Sequence, residues 1–196
     1  MKKINNDQLS VQVNNLLKEG DIIFSSIDLL VCRQVARETG SWSSHVGFVL
    51  KENNQWMVVE SKVPFVCKTP LRKFIQRTRD EQIMVRRLKQ PLTEKQVGKL
   101  KQLTEKHIGK LYHSGFDFDS DRLFCSKLVY LIYKEATGVK LGQILTLETL
   151  INQNPQASSG LWYLWYFGSV PWQRRTLTPA SQINDPQLIT VYSTVG

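Results

Sequence analysis

Apolar residues fall into short runs along this chain, each bounded by polar or turn-forming residues. After Gly20-Asp21, the run Ile22-Ile23-Phe24 predicts a short buried strand. Two β-rich runs follow, His45-Val46-Gly47-Phe48-Val49-Leu50 and Gln55-Trp56-Met57-Val58-Val59-Glu60. Lys51-Glu52-Asn53-Asn54 between them has turn composition, so the pair predicts a hairpin. Ile83-Met84-Val85 and residues 187–192 predict further strands. Helical spacing marks residues 28–38, where Leu29, Leu30, Cys32, Val35 and Ala36 recur before a stop at Gly40. Thr69-Pro70 predicts a helix start, with Thr69 as cap and the helix running to about Thr78. Another helix opens at Thr93 and carries Val97, Leu100, Leu103 and His107/Ile108 on one face. Cys125 begins an apolar helix that ends at Gly138, and Thr146 caps a short one with Glu148 in its first turn. Residues 1–19 read as a polar leader. A small antiparallel sheet with helices before, between and after it predicts the α+β class.

Composition narrows the class further. The chain has 196 residues, 41% hydrophobic and 22% charged, which suits one packed domain and argues against disorder. No apolar stretch follows the opening lysines, so the N-terminus does not read as a secretory signal. The most apolar segment, 161–172, is shorter than the roughly 20 residues a membrane-spanning helix needs. Three cysteines (Cys32, Cys67, Cys125) lack metal-ligand spacing and suggest free thiols in a reducing cytosol. Cys32 and Cys67 read as core residues. The net charge of +9 points to anionic partners. Residues 68–89 hold eight basic side chains against Asp80 and Glu81, a localised basic block suited to an anionic group or a lipid surface. Zinc-finger spacing and an aromatic RNA-binding strand motif are both missing, so no nucleic-acid partner is expected.

Three residues could form a reactive set. Cys125 sits where unpaired backbone N–H groups and the helix dipole favour a thiolate, although a cysteine there is also an ordinary packing residue. His45 enters one strand of the hairpin, and Glu60 ends the other. A turn with an even number of residues puts both on one face. Centred between 52 and 53 it makes them directly opposite; centred between 53 and 54 it makes them diagonal neighbours. Either geometry lets a carboxylate hold one ring nitrogen and leave the other free, the base-plus-orienter pattern of nucleophilic catalysis. His113 is a rival base, closer to Cys125 in sequence.

Ser44-His45-Val46-Gly47, Val59-Glu60-Ser61 and Phe124-Cys125-Ser126-Lys127-Leu128-Val129 together resemble the circularly permuted papain-like hydrolases of the NlpC superfamily. The likeness is to the YiiX/YebB-like group, and to the YebB type in particular. It extends through Leu111-Tyr112-His113-Ser114-Gly115-Phe116, Gly168-Ser169-Val170-Pro171-Trp172 and Thr178-Pro179-Ala180-Ser181. The resemblance implies a single permuted papain-like domain over 1–196, with Cys125 as nucleophile, His45 as base and then acid, and Glu60 as orienter. It implies an amide or ester substrate, peptide or acylated, and no cofactor. Tyr112 matches an aromatic of the family's site. Relatives often carry Tyr-Asp where this chain has Tyr112-His113, which makes both substrate-site candidates.

Other features carry less. Asp117, Asp119 and Asp121 alternate as in a calcium loop, but Arg122 stands where that loop needs glycine. The aromatic segment 161–172 fits core packing or an apolar wall for a lipid or acyl chain. A non-catalytic module that binds an anionic or lipid ligand is the alternative to an enzyme.

Overall fold

The structure, a computed structural model, describes residues 6–27, 36–154 and 159–195. Its strands are β1 (Ile22–Ile27), β2 (His45–Glu52), β3 (Gln55–Ser61), β4 (Val66–Pro70), β5 (Thr78–Leu88), β6 (Leu145–Thr146), β7 (Arg175–Thr176) and β8 (Leu188–Ser193). Its helices are α1 (Asn6–Asn14), α2 (Leu71–Gln76), α3 (Glu94–His107), α4 (Cys125–Thr137), α5 (Leu147–Asn152), α6 (Ser159–Trp165) and α7 (Pro179–Ile183). Six strands form an antiparallel sheet in the order β4-β3-β2-β1-β5-β8, and β6 pairs with β7 separately. The architecture is α+β, with a larger sheet than the hairpin alone predicts.

Both faces of the sheet are covered, which is why its central strands are apolar almost throughout. Ile22, Phe24, Val46, Phe48 and Leu50 pack on one side with Leu128, Val129 and Ile132 of α4 and Leu100 and Leu103 of α3. Ile23, Val49, Val58 and Val85 pack on the other with Phe74 and Ile75 of α2. Leu9, Val13 and Leu17 join this second cluster, so the polar leader is in part a packed helix. Their spacing of four residues is the signal for it, diluted by the polar residues between.

The β2–β3 turn is Asn53-Asn54, with φ of 46° and 63°. Those left-handed values suit a two-residue hairpin, and asparagine tolerates them. Glu52 therefore pairs with Gln55 and Phe48 with Val59.

Several local expectations change. Thr69 and Pro70 close β4, and the helix starts at Leu71 and ends at Gln76 with no side-chain cap. β5 extends well beyond residues 83–85. The Thr93 start holds, with a full capping box to Gln96. So does the α4 stop at Gly138, which is left-handed. Thr146 caps α5 as expected. Cys67 is half-buried rather than core. Cys32 and most of the helix expected over 28–38 lie outside the described residues.

Gly20 and Asp21 have structural reasons. A Cβ on Gly20 would fall 2.3 Å from Leu92, and its φ is +82°. Asp21 is buried and takes two hydrogen bonds from Arg87, at 2.6 and 2.7 Å.

Candidate active site

Strand and helix ends converge at one place. His45 opens β2, Glu60 lies near the end of β3, and Cys125 opens α4. Continuing the β2–β3 register puts Gly47 opposite Glu60, so His45 is the diagonal neighbour. A Cβ on Gly47 would meet Val58 and the Val59 carbonyl at 2.7 Å. Glycine thus keeps the strands close where the two side chains cross.

His45 Nε2 lies 2.6 Å from Glu60 Oε2. The Cys125 side chain lies on the same cavity, close enough to the imidazole to act on its charge. With Nε2 engaged by Glu60, Nδ1 is the nitrogen left for sulfur. Both His45 and Glu60 project toward α2. The His45 ring centroid is 5.8 Å from that of Phe74, and Arg77, the C-cap of α2, reaches Glu60.

Glu60 is fully buried, so its charge must be met by partners. Arg77 Nη2 donates to Oε1 at 2.6 Å and Oε2 at 2.8 Å. Thr69 Oγ1 donates to Oε1 at 2.5 Å, and Lys62 Nζ is 3.4 Å away. Burial favours the neutral acid, but hydrogen bonds and charge from His45 and Arg77 outweigh it and hold the carboxyl far below the usual range. Burial likewise favours neutral imidazole at His45. Hydrogen bonds and charge from Cys125 and Glu60 overcome it and push the pKa up to about 9.

Cys125 and His45 both line a cavity of about 440 Å³. Its wall includes Phe116, Leu147, Leu150, Trp162 and Tyr166, so the aromatic segment supplies both core and wall. No side chain caps the start of α4, which leaves its first backbone N–H groups beside the sulfur without a side-chain acceptor.

The structure places the other candidates differently. Tyr112 lines the cavity and meets Phe116 edge-on. His113 does not line it; its Nδ1 accepts from the Asp117 backbone at 3.4 Å. Burial and then the neighbouring Arg174 lower its pKa against the pull of Asp117. Asp117 and Asp119 face Arg174 and Arg175 at 3.7 and 3.3 Å. Among the described residues no three or more His, Cys, Asp and Glu side chains group to hold a metal.

Sequence reasoning missed Arg77 and Thr69. It set the block 68–89 apart from the reactive set and assigned Thr69 to a helix cap. In the fold, Arg77 binds Glu60, Arg87 binds Asp21, and Lys68 binds Glu52 and Glu105. Much of the supposed basic surface is therefore internal pairing. The signal available was a buried acid near a strand end, which requires a cation from somewhere.

A thiol at a helix start facing a histidine on an antiparallel sheet, with the histidine strand preceding the helix in sequence, defines a permuted papain-like protein. The chain belongs to the permuted papain-like amidase enzyme family YaeF/YiiX, which it matches over residues 16–192. It is 30% identical over 172 residues to the uncharacterized protein YiiX of Escherichia coli strain K12, covering 88% of this chain and 84% of that protein. It also resembles the crystal structure of yiiX from Escherichia coli O157:H7, described as a metalloprotein, with a TM-score of 0.83 and 29% identity, covering 90% of this chain and 97% of the other. These matches establish the family; the finer likeness to the YebB type rests on the motifs alone. No helix among the described residues is long and apolar enough to cross a membrane.

Proposed function

We propose that residues 1–196 act as one permuted papain-like domain and hydrolyse an amide or ester bond through a thioester on Cys125. The observation that carries this reading is the meeting of Cys125 and His45 on one cavity, with Glu60 tied to the far side of the imidazole. In the first step the Cys125 thiolate attacks the substrate carbonyl and forms a carbon–sulfur bond. The carbon–nitrogen or carbon–oxygen bond then breaks, and the leaving amine or alcohol takes its proton from His45. In the second step His45 accepts a proton from water. The hydroxide attacks the thioester, and the carbon–sulfur bond breaks to give a carboxylic acid and free Cys125. Glu60 fixes the ring orientation and favours the imidazolium. Backbone N–H groups at the start of α4 are the donors for the oxyanion. Tyr112 lines the substrate side. A thiol nucleophile suits a reducing cytosol, the compartment we assign.

The experiment is a panel of N-acyl amides and O-acyl esters offered to wild type, Cys125→Ala and His45→Ala. The reading requires turnover of at least one class by wild type, with both variants reduced to background. Equal turnover by Cys125→Ala overturns it.

A further inference from the structure

The charge lining the Cys125 cavity is one-sided. Lys62, Arg77 and Arg174 line it, and no aspartate or glutamate does among the described residues. Two of these cations are engaged elsewhere. Arg77 and Lys62 turn to the buried Glu60 carboxylate, at 2.6 and 3.4 Å. Arg174 is not held in that way. Its Nη1 donates to the Gly115 carbonyl at 3.0 Å, and its Nε lies 3.7 Å from Asp117, too far for a hydrogen bond. A guanidinium carries five N–H donors, so these contacts use only part of it.

The surroundings of Arg174 hold it in place. Its guanidinium carbon lies 5.3 Å from the Tyr166 ring centroid, a cation–π contact. The Tyr166 hydroxyl donates to the same Gly115 carbonyl at 2.8 Å. Gly115 leaves the room for this, since a Cβ there would fall 2.9 Å from Arg174 Nη1. In the surrounding loop and strand, Arg122, Lys127, Arg174 and Arg175 stand against Asp117, Asp119 and Asp121, so positive charge is in excess.

A second unused donor belongs to the same wall. Trp162 lines the cavity, is 4% exposed, and its indole N–H has no acceptor among the described residues. Its ring stacks on Tyr166, with centroids 6.1 Å apart. A buried donor without an acceptor is costly, and an oxygen of a bound molecule would satisfy it.

A partly used guanidinium and an unmatched N–H in an otherwise apolar wall call for a negatively charged acceptor group. The planar fork of arginine matches a carboxylate. A doubly charged phosphate fits less well, because Asp117 stands close by and the excess of cations is small. Chain spacing sets the size of the ligand. Arg174 comes three residues before Leu177, whose carbonyl accepts from Ser126 Oγ at 2.7 Å, next to Cys125. Through extended β7 that is about 10 Å, a span that one acidic side chain and the arginine stem cover together.

We propose that the cavity is selective for a carboxylate, with Arg174 binding the side chain of an acidic amino-acid residue whose carbonyl faces Cys125. Turnover of such a substrate rests on the reading above; recognition of the carboxylate does not. The test is calorimetric titration of full-length Cys125→Ala with the anilides of N-acetylglutamate and N-acetylglutamine, which share a shape and differ in charge. The glutamate ligand binds about tenfold more tightly. In Cys125→Ala/Arg174→Met the ratio of the two affinities falls to near one, and with Arg174→Lys it is intermediate. Asp117→Asn removes the competing acid and raises the ratio a few-fold, which tests the site even if Arg174→Met fails to fold. Equal affinity for the two ligands, binding of neither, a ratio that survives Arg174→Met, or a ratio that Asp117→Asn leaves unchanged overturns the proposal. Wild-type kinetics on the same anilides separates it from the hydrolysis reading. Discrimination in binding without turnover upholds the carboxylate site and counts against the hydrolysis. Turnover of both anilides at one kcat/KM upholds the hydrolysis and overturns the carboxylate site.

Discussion

Arg77 Nη2 lies 2.6 Å from one oxygen of Glu60 and 2.8 Å from the other. The arginine caps α2 while the glutamate lies near the end of β3, so helix and hairpin are tied through one buried carboxylate. That charge reaches His45, whose ring Glu60 holds at 2.6 Å.

Arg77→Met should therefore act at the site as well as on stability. The Arg77 side chain is one third exposed, so water softens the loss, and a destabilisation of about 1–2 kcal/mol is expected. Turnover should fall about tenfold as the Glu60–His45 pair loosens. Arg77→Lys restores the charge as a compact ammonium on a differently shaped side chain and recovers only part. Thermal melts and kcat/KM for the three proteins check this. An unchanged kcat/KM in Arg77→Met removes Arg77 as a positioning residue.

Glu60→Gln keeps the shape and removes the charge. His45 then loses a partner that raises its pKa, and the amide competes for a different ring tautomer. Turnover is expected to drop by about 10²–10⁴. The histidine titration, followed by NMR, should move down from about 9. A titration that does not move contradicts the assigned coupling.

Stability should depend on pH in a defined way. Folding raises the His45 pKa from 6.5 to about 9, so its contribution is complete below pH 6.5 and is lost as pH rises through about 9. The Glu60 pKa is lowered from 4.5, so its contribution is complete above pH 4.5 and is lost in more acid solution. The pair thus supports the fold most between pH 4.5 and 6.5. The loss from pH 6.5 to 9 is about 3 kcal/mol. Urea unfolding across this range should show the decline in wild type, a flatter profile in His45→Gln, and an earlier decline in Cys125→Ala, which lacks one of the groups holding His45 up.

Gly47→Ala tests the hairpin crossing. The added Cβ would lie 2.7 Å from both Val58 and the Val59 carbonyl. Backbone cannot yield there without parting β2 from β3, so a cost of about 1–3 kcal/mol is expected. Turnover should fall further than stability alone explains, because His45 and Glu60 sit on the two parted strands. Wild-type kinetics in this variant contradict the account.

The hairpin, the Cys125 helix and the His45–Glu60 pair were legible because each rests on local sequence. An Asn-Asn turn fixes parity, and a capping pattern or a glycine stop fixes a helix end. Arg77 and Thr69 were not legible because their roles depend on α2 folding under the hairpin, a contact that local patterns do not encode. Thr69 could read only as a cap until the partner strand placed it 2.5 Å from Glu60. The packed α1 was hidden for a similar reason. Among its described side chains Leu9 and Val13 are buried, with Leu17 just beyond the helix, and a narrow stripe in polar sequence looks like a leader until something covers it.

The central claim is that Cys125 carries the acyl group. Intact-mass spectrometry after a brief exposure to an activated acyl ester, followed by peptide mapping, tests it most directly. The account predicts one added acyl group on wild type, mapped to Cys125, absent in Cys125→Ala and slow to form in His45→Ala. Acylation at Cys67, or equal labelling of wild type and Cys125→Ala, would contradict it.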